Sequence, residues 1–147
     1  MSWKDKIKEL KKREALAEKM GGSEKLKRQK INNRLNVRER IDLLLDKDSF
    51  HEIGKIAGKA KYNEKGELEE FTPSNFVMGR GKINGRNVVV GADDFTVRGG
   101  AADASISQKQ IMSEQFHQLL KDDQHIQPFF QLILLQYRLM MLQLCLK

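Results

Sequence analysis

The chain has little with which to crosslink itself. Its 147 residues hold one cysteine, Cys145. That excludes a disulfide framework and a cysteine-based metal site. Histidine is scarce as well. His51, His117 and His125 are scattered without ligand spacing, so no metal is expected. Aromatics make up 7% of the chain. They do not interleave with the basic residues as a single-strand stacking platform requires. The start, Met1-Ser-Trp-Lys-Asp-Lys6, has no apolar signal-peptide core, and the expected setting is the reducing cytoplasm.

Charge is what the chain has in quantity. Charged residues make up 32%, and the formal net charge is +7. Most of the excess lies before Ser49, where 15 Lys and Arg face 9 Asp and Glu. Such a balance suits nucleic acid, an anionic membrane or an anionic ligand, and equally a solvated helix face. The length allows one ordinary domain.

The first 48 residues read as a basic helical arm. A helix is predicted over residues 3–20, with Ile7 and Leu10 on one side. Ser2 is placed to cap it, with Asp5 three residues on. Gly21-Gly22 ends that helix, and Ser23 is placed to cap a second one through Lys30. Two readings of the pair stay open: an arm that docks on another subunit, or a surface hairpin with little core. Asn36 looks like an N-cap, with Glu39 at the reciprocal capping-box position. The helix over residues 37–45 then puts Val37, Ile41, Leu44 and Leu45 on one face.

Strands follow. After a turn at residues 46–49, residues 50–57 read as a strand. Residues 59–73 read as a polar excursion with a turn at Asn63-Glu-Lys-Gly66. Beyond Pro73, strands are predicted over residues 75–83 and 87–92. Asn84-Gly85 joins them and favours the primed turn of a two-residue hairpin. The stretch Asn87-Val-Val-Val-Gly-Ala-Asp-Asp-Phe-Thr-Val-Arg-Gly-Gly-Ala-Ala-Asp-Ala-Ser105 carries the most information. Three valines suit a sheet covered on both faces. Gly99-Gly100 lets the backbone turn sharply and lie close to a ligand. A helix from about Ala101 to Leu120 would then aim its first N–H groups at an anionic or oxyanionic partner. The plain alternative is an ordinary glycine turn. Asp93 and Asp94 are adjacent, so they point to opposite faces and make no carboxylate dyad.

Three blocks, in order, carry a family resemblance. They are Val37-Arg-Glu-Arg-Ile-Asp-Leu-Leu-Leu-Asp46 with Ser49-Phe-His-Glu-Ile-Gly54, then Asn75-Phe-Val-Met-Gly-Arg-Gly-Lys-Ile-Asn-Gly-Arg86, then Asp94-Phe95-Thr96-Val97-Arg98-Gly99-Gly100. Together they resemble the start of the carboxyltransferase subunits of biotin-dependent acyl-CoA carboxylases: the propionyl-CoA and methylcrotonyl-CoA carboxylase β subunits and the decarboxylase α subunits. The resemblance covers roughly Met1 to Gln115. It implies an α/β fold, an incomplete crotonase-like one, with N-terminal helices followed by a first ββα unit. No second ββα unit is evident. The implied divisions are a basic arm over 1–48, the start of the carboxyltransferase N-terminal domain over 49–115, and a tail over 116–147.

After Gln115 the wording departs from the family. No glycine occurs among the 32 residues from Phe116 to Lys147, and Leu, Gln and Met dominate. Residues 129–146 approach the length of a membrane span. Against that stand Gln131, Gln136, Gln143 and Arg138, the arginine alone costing roughly 2.5–3.5 kcal/mol in mid-membrane. A core helix is a second reading, since Phe130, Leu134, Leu135 and Leu139 share a helical face. An out-of-frame extension is the third, and the abrupt change of composition favours it.

The resemblance implies carboxyl transfer from carboxybiotin, held on a carrier protein, to the α-carbon of an acyl-CoA. That chemistry needs two oxyanion holes built from backbone N–H groups at glycine-rich turns. In the family those turns come from other segments, so no catalytic residue is assigned here and the chain alone is expected to be inactive. The expected acyl-CoA contacts are Phe95, Arg98, Gly99, Gly100 and Ala101, with Arg98 offering its fork to a CoA phosphate. Where many members have an aromatic or apolar residue before Gly-Gly and a Ser after it, this chain has Arg98 and Ala101. Gln29-Lys-Ile-Asn-Asn-Arg34 replaces the usual Gln-His-Ala-Arg-Gly-Lys. The implied partners are a biotin carboxylase, a biotin carboxyl carrier protein and further copies of the subunit, with no nucleic acid and no membrane. The alternatives are a basic helical nucleic-acid-binding module on residues 4–40, or the non-functional product of a disrupted gene.

Overall fold

The computed structural model describes residues 2–101, 108–122 and 131–135. Its first element, helix α1 (Trp3–Glu18), starts as the sequence dictates. The Ser2 hydroxyl accepts from the Asp5 N–H, and the Asp5 carboxylate accepts from the Ser2 N–H in return. Ile7 and Leu10 are exposed, and the helix packs through Leu16 and Ala17 instead. Helix α2 (Ser23–Ile31) is capped at Gly22, so Ser23 is its first helical residue rather than its cap. Helix α3 (Val37–Leu44) has the expected capping box, with Asn36 accepting from the N–H groups of Arg38 and Glu39.

Strand β1 (His51–Ile53) is shorter than expected because Gly54, at φ 66°, turns the chain out of the sheet. The polar excursion proves to be a hairpin of β2 (Gly58–Tyr62) and β3 (Leu68–Pro73) around the predicted turn. Its inner face is small. Ala60, Leu68 and Phe71 lie under Leu16 and Ala17 of α1. The hairpin is tied further by Lys12 Nζ donating to the Leu68 carbonyl at 2.7 Å and by Tyr62 Oη donating to Glu9 at 2.9 Å. Tertiary contact, more than alternation in the sequence, makes this pair of strands.

Strands β4 (Phe76–Ile83) and β5 (Arg86–Asp93) form the long hairpin. Asn84 and Gly85 sit at φ 51° and 76°, the two positive values that a type I′ turn needs. The turn is also clamped from outside, because the Asp46 carboxylate accepts from both of their N–H groups at 2.8 Å. A four-stranded sheet runs in the order β1-β4-β5-β6, where β6 is Gln131–Leu135. The first two pairings are antiparallel and β5–β6 is parallel. A parallel neighbour requires a crossover, and helix α4 (Gln108–Asp122) lies between the two strands in sequence. The extended β6 is at odds with a continuous helix over residues 129–146. Among the described residues no helix is long and apolar enough to cross a membrane.

All three valines are buried, as a doubly covered strand requires. Val88 and Val90 join Val77, Ala92, Val37, Ile41 and Leu45 in one core under α3. Val89 points to the opposite face and is fully buried, and α4 packs on β4 and β5. Helix α4 brings a charge with it. Lys109 is only 6% exposed, near Glu52 and Arg38. Burial pushes its ammonium down to about 8; Glu52 opposes that shift and Arg38 reinforces it.

Between about pH 8 and the ordinary lysine value, the unfolded chain holds a proton on Lys109 that the folded chain does not. Stability therefore rises with pH across that window, and below it the folded state carries the whole cost of the buried charge. Lys109→Met is expected to stabilise the protein at pH 7 by on the order of 3 kcal/mol and to flatten the alkaline rise. Urea melts of both proteins from pH 6.5 to 10.5 check this. A parallel pH dependence in both would contradict it.

Candidate functional site

The segment after β5 does not pass straight into a helix. Ala101 is extended, and residues 98–100 form a left-handed turn closed by the Gly100 N–H donating to the Val97 carbonyl and the Ala101 N–H to the Arg98 carbonyl. The predicted helix start therefore fails at Ala101, and residues 102–107 lie outside the described ones. Arg98, Gly99 and Gly100 all take positive φ, at 52°, 66° and 75°. Two of the three are glycines, for which this costs little, while Arg98 carries the strain.

The loop is held from several sides. Asn75 brackets it: its carbonyl accepts from the Asp94 N–H at 2.7 Å, and its side-chain amide donates to the Ala101 carbonyl. Inside the loop, the Asp94 carboxylate accepts from the Thr96 N–H at 2.9 Å and the Thr96 hydroxyl at 2.6 Å. Burial pushes the Asp94 carboxyl up, and the two Thr96 donors oppose that. Asp93 is likewise raised by burial, opposed first by Gln110, whose amide donates to it at 3.2 Å, and then by Arg40. The two carboxylates thus serve different partners, in keeping with the absence of a dyad.

The Val37-Arg-Glu-Arg block supplies the outer clamp. Glu39 completes the cap of α3. Arg38 grips Glu52 through its two terminal guanidinium nitrogens, at 2.8 and 3.3 Å. Arg40 is 4% exposed; it donates to the Asp93 carbonyl and lies over the Phe95 ring at 5.8 Å. The edge of Phe95 is also fixed by Gly100, where a Cβ would stand 2.7 Å from the ring.

Thr96 carries the loop across to the arm. Its hydroxyl accepts from the Gly21 N–H at 2.8 Å. A Cβ on Gly21 would lie 1.9 Å from the Thr96 carbonyl oxygen, so only glycine allows this approach. The contact seats α2 beside the loop. Between them is a cleft of about 390 Å³ lined by Lys25, Arg28, Gln29, Asn32 and Arg34 on one side and Phe95, Thr96 and Gly99 on the other. It has three cations and no carboxylate in its lining.

Of the five residues expected from sequence, Phe95 and Gly99 line this cleft. Arg98 is exposed, Gly100 supports Phe95, and Ala101 is taken up by Asn75. Sequence reading did not place Lys25, Arg28, Gln29, Asn32 and Arg34 here. The signal available was the concentration of positive charge before Ser49.

The family model described as "Carboxyl transferase domain" matches residues 28–130. The chain belongs to this family. The match runs past Gln115, where the wording of the sequence departs, and it takes in the three blocks and the whole of α4. The propionyl-CoA carboxylase beta chain of Cereibacter sphaeroides is 38% identical over 108 residues, covering 72% of this chain and 21% of its own length. A putative propionyl-CoA carboxylase beta chain of Bacillus subtilis is 42% identical over 85 residues, covering 58% and 16%. This chain thus spans about a fifth of such relatives. Among solved structures, the hexameric transcarboxylase 12S with methylmalonyl-coenzyme A bound is similar at TM-score 0.66 and 28% identity. That match covers 81% of this chain and 23% of the other. A single-chain long-chain acyl-CoA carboxylase gives 0.63 at 20% identity, covering 88% and 14%, a likeness of fold. This carboxyl transferase domain chain carries part of the crotonase-like fold, with its helices first and its sheet after them.

The seating of α2 on the loop rests on Gly21. Gly21→Ala is expected to destabilise the protein by about 1–3 kcal/mol, because the new methyl meets backbone rather than a side chain that can move. Thr96→Val, which removes both hydroxyl bonds, is expected to cost a similar amount. Urea denaturation checks both, and an unchanged midpoint for either would contradict the contact.

Proposed function

We propose that this chain forms acyl-CoA-binding surface of an acyl-CoA carboxyltransferase, and that the cleft between α2 and the 95–99 loop takes the phosphates of CoA. The observation that supports this is the set of three cations, Lys25, Arg28 and Arg34, facing Phe95 and Gly99 across a cleft without a carboxylate. CoA presents several phosphate charges and a flat base at one end. Arginine forks match phosphate oxygens, and an aromatic wall suits the base. At about 390 Å³ the cleft suits that nucleotide end rather than a whole acyl-CoA. Glycines at 99 and 100 let the backbone come close to the pantetheine that leads away from it.

The family reaction in this reading moves a carboxyl group from carboxybiotin to the α-carbon of the acyl-CoA, after that carbon loses its proton. Biotin belongs to the carrier protein, and no residue of this chain is assigned to it. The two oxyanions that develop need donors at further glycine-rich turns, and this sequence has no glycine after Gly100. The chain is therefore a binding element, inactive by itself, acting in a cytoplasmic assembly with a biotin carboxylase, its carrier and further copies of the subunit.

CoA is expected to bind weakly and saturably, and Arg28→Gln to weaken it about tenfold, the loss of one charge-assisted phosphate contact. Calorimetric titration checks this. Equal binding by both proteins, or duplex DNA binding with a steep salt slope and no CoA binding, would sink the reading. With biotin carboxylase, carrier, ATP, bicarbonate and propionyl-CoA, the chain alone is expected to give no carboxylated product. Turnover above background would overturn its assignment as a binding element only.

A further inference from the structure

A second cleft, of about 540 Å³, lies at the other end of the long hairpin. Lys47, Ser49, His51, Arg80 and Lys82 all line it. We propose that it is a separate binding site for the phosphate group of a small phosphate ester or diphosphate. The register brings two cations and an imidazole together. His51 lies directly across from Arg80, and Lys82 is two residues further along the same face of β4. Cβ atoms at such positions are about 5 and 7 Å apart. Arg80 and Lys82, like charges on one face of the strand, repel one another unless something of opposite sign lies between them.

At several other places the chain supplies that opposite charge itself. Arg38 has Glu52, Lys55 has Glu18 and Lys61 has Glu70. Here it does not. The residues across from Lys82 and Arg80 on β5 are Asn87 and Val89. Among the described residues, the side chains of Lys47, Arg80 and Lys82 have no ion pair and no hydrogen bond. Two acids line the cleft as well. The Asp46 carboxylate is committed to the two turn amides, which leaves Asp48 as the one uncommitted carboxylate. Three cations against one free carboxylate leave room for a dianion.

The floor of the cleft is already built. Asp46 N–H donates to the Lys82 carbonyl at 2.8 Å, and Ser49 N–H donates to the Asp46 carbonyl at 3.1 Å. The Ser49 hydroxyl accepts from the Lys82 N–H at 3.1 Å, so its own proton is available to a ligand oxygen. A planar fork, two ammonium groups and a hydroxyl offer more donors than one carboxylate can accept, and they match a phosphate dianion. Asn87 lines this cleft and Phe95 the other. Eight residues of largely extended chain, roughly 25 Å, separate them. One phosphate cannot serve both, and the second site does not depend on the first.

Inorganic pyrophosphate is the probe, at constant ionic strength, with the ring signals of His51 followed by NMR and assigned by comparison with His51→Gln. Saturable shifts of those signals are expected. Arg80→Gln and, outside the sheet, Lys47→Gln are each expected to weaken binding about tenfold, while Arg28→Gln in the first cleft leaves it unchanged. Lys47→Gln keeps the test valid if the strand variant fails to fold. Shifts that do not saturate, or that persist unweakened in Lys47→Gln, would overturn the site. So would binding that Arg28→Gln abolishes, which would assign the pyrophosphate to the first cleft.

Discussion

Everything at the candidate site depends on how the segment after β5 is seated. A loop with three consecutive positive φ values and an arginine among them would not hold its shape in solvent. Here it is bracketed by Asn75 at both ends, closed internally by Asp94 and Thr96, and pressed from α3 by Arg40. Each fastening satisfies a buried polar group that would otherwise cost roughly 1–3 kcal/mol. The seated loop then presents the Thr96 hydroxyl to Gly21, and that contact fixes the position of the basic helix α2. Remove the seating and the cleft has no second wall.

The distribution of charge follows from the same arrangement. Where cations are needed for the fold they are paired or buried with a partner: Arg38 with Glu52, Arg13 with Glu9 and the Tyr62 ring, and Arg40 with the Asp93 carbonyl. Six further cations line two clefts at opposite ends of the long hairpin: Lys25, Arg28 and Arg34 in the first, Lys47, Arg80 and Lys82 in the second. The first has no carboxylate in its lining, and the second has one that is uncommitted. Lys109 is the exception: it is buried near one acid and one further cation. Its charge weakens the packing of α4 rather than serving a ligand.

Local chemistry was legible in the sequence wherever it decides structure by itself. Asn84-Gly85 fixed the primed hairpin, Ser2 with Asp5 and Asn36 with Glu39 fixed two helix starts, and three valines in a row marked the doubly covered strand. The β2–β3 hairpin was hidden because its strands are rich in Lys and Glu. Its apolar contact with the rest of the chain is confined to Ala60, Leu68 and Phe71, and what covers them is α1, some fifty residues earlier in sequence. The turn out of β1 at Gly54 was missed for a related reason, since a lone glycine does not announce which side of it stays in the sheet. The helix expected at Ala101 fails because Asn75 holds that carbonyl in an extended segment. At the site, Phe95 and Gly99 were foreseen from their own motif. Lys25, Arg28 and Arg34 were not, because a single long-range contact between Gly21 and Thr96 brings them there.

The central claim is that α2 and the 95–99 loop, distant in sequence, form one ligand surface. Amide hydrogen exchange followed by mass spectrometry, with and without saturating CoA, tests it directly. The account predicts added protection in two separate stretches together, residues 25–34 and 94–101, with little change at residues 4–13 or in the β2–β3 hairpin. Protection confined to one of the two stretches, or appearing along residues 4–13 instead, would contradict it.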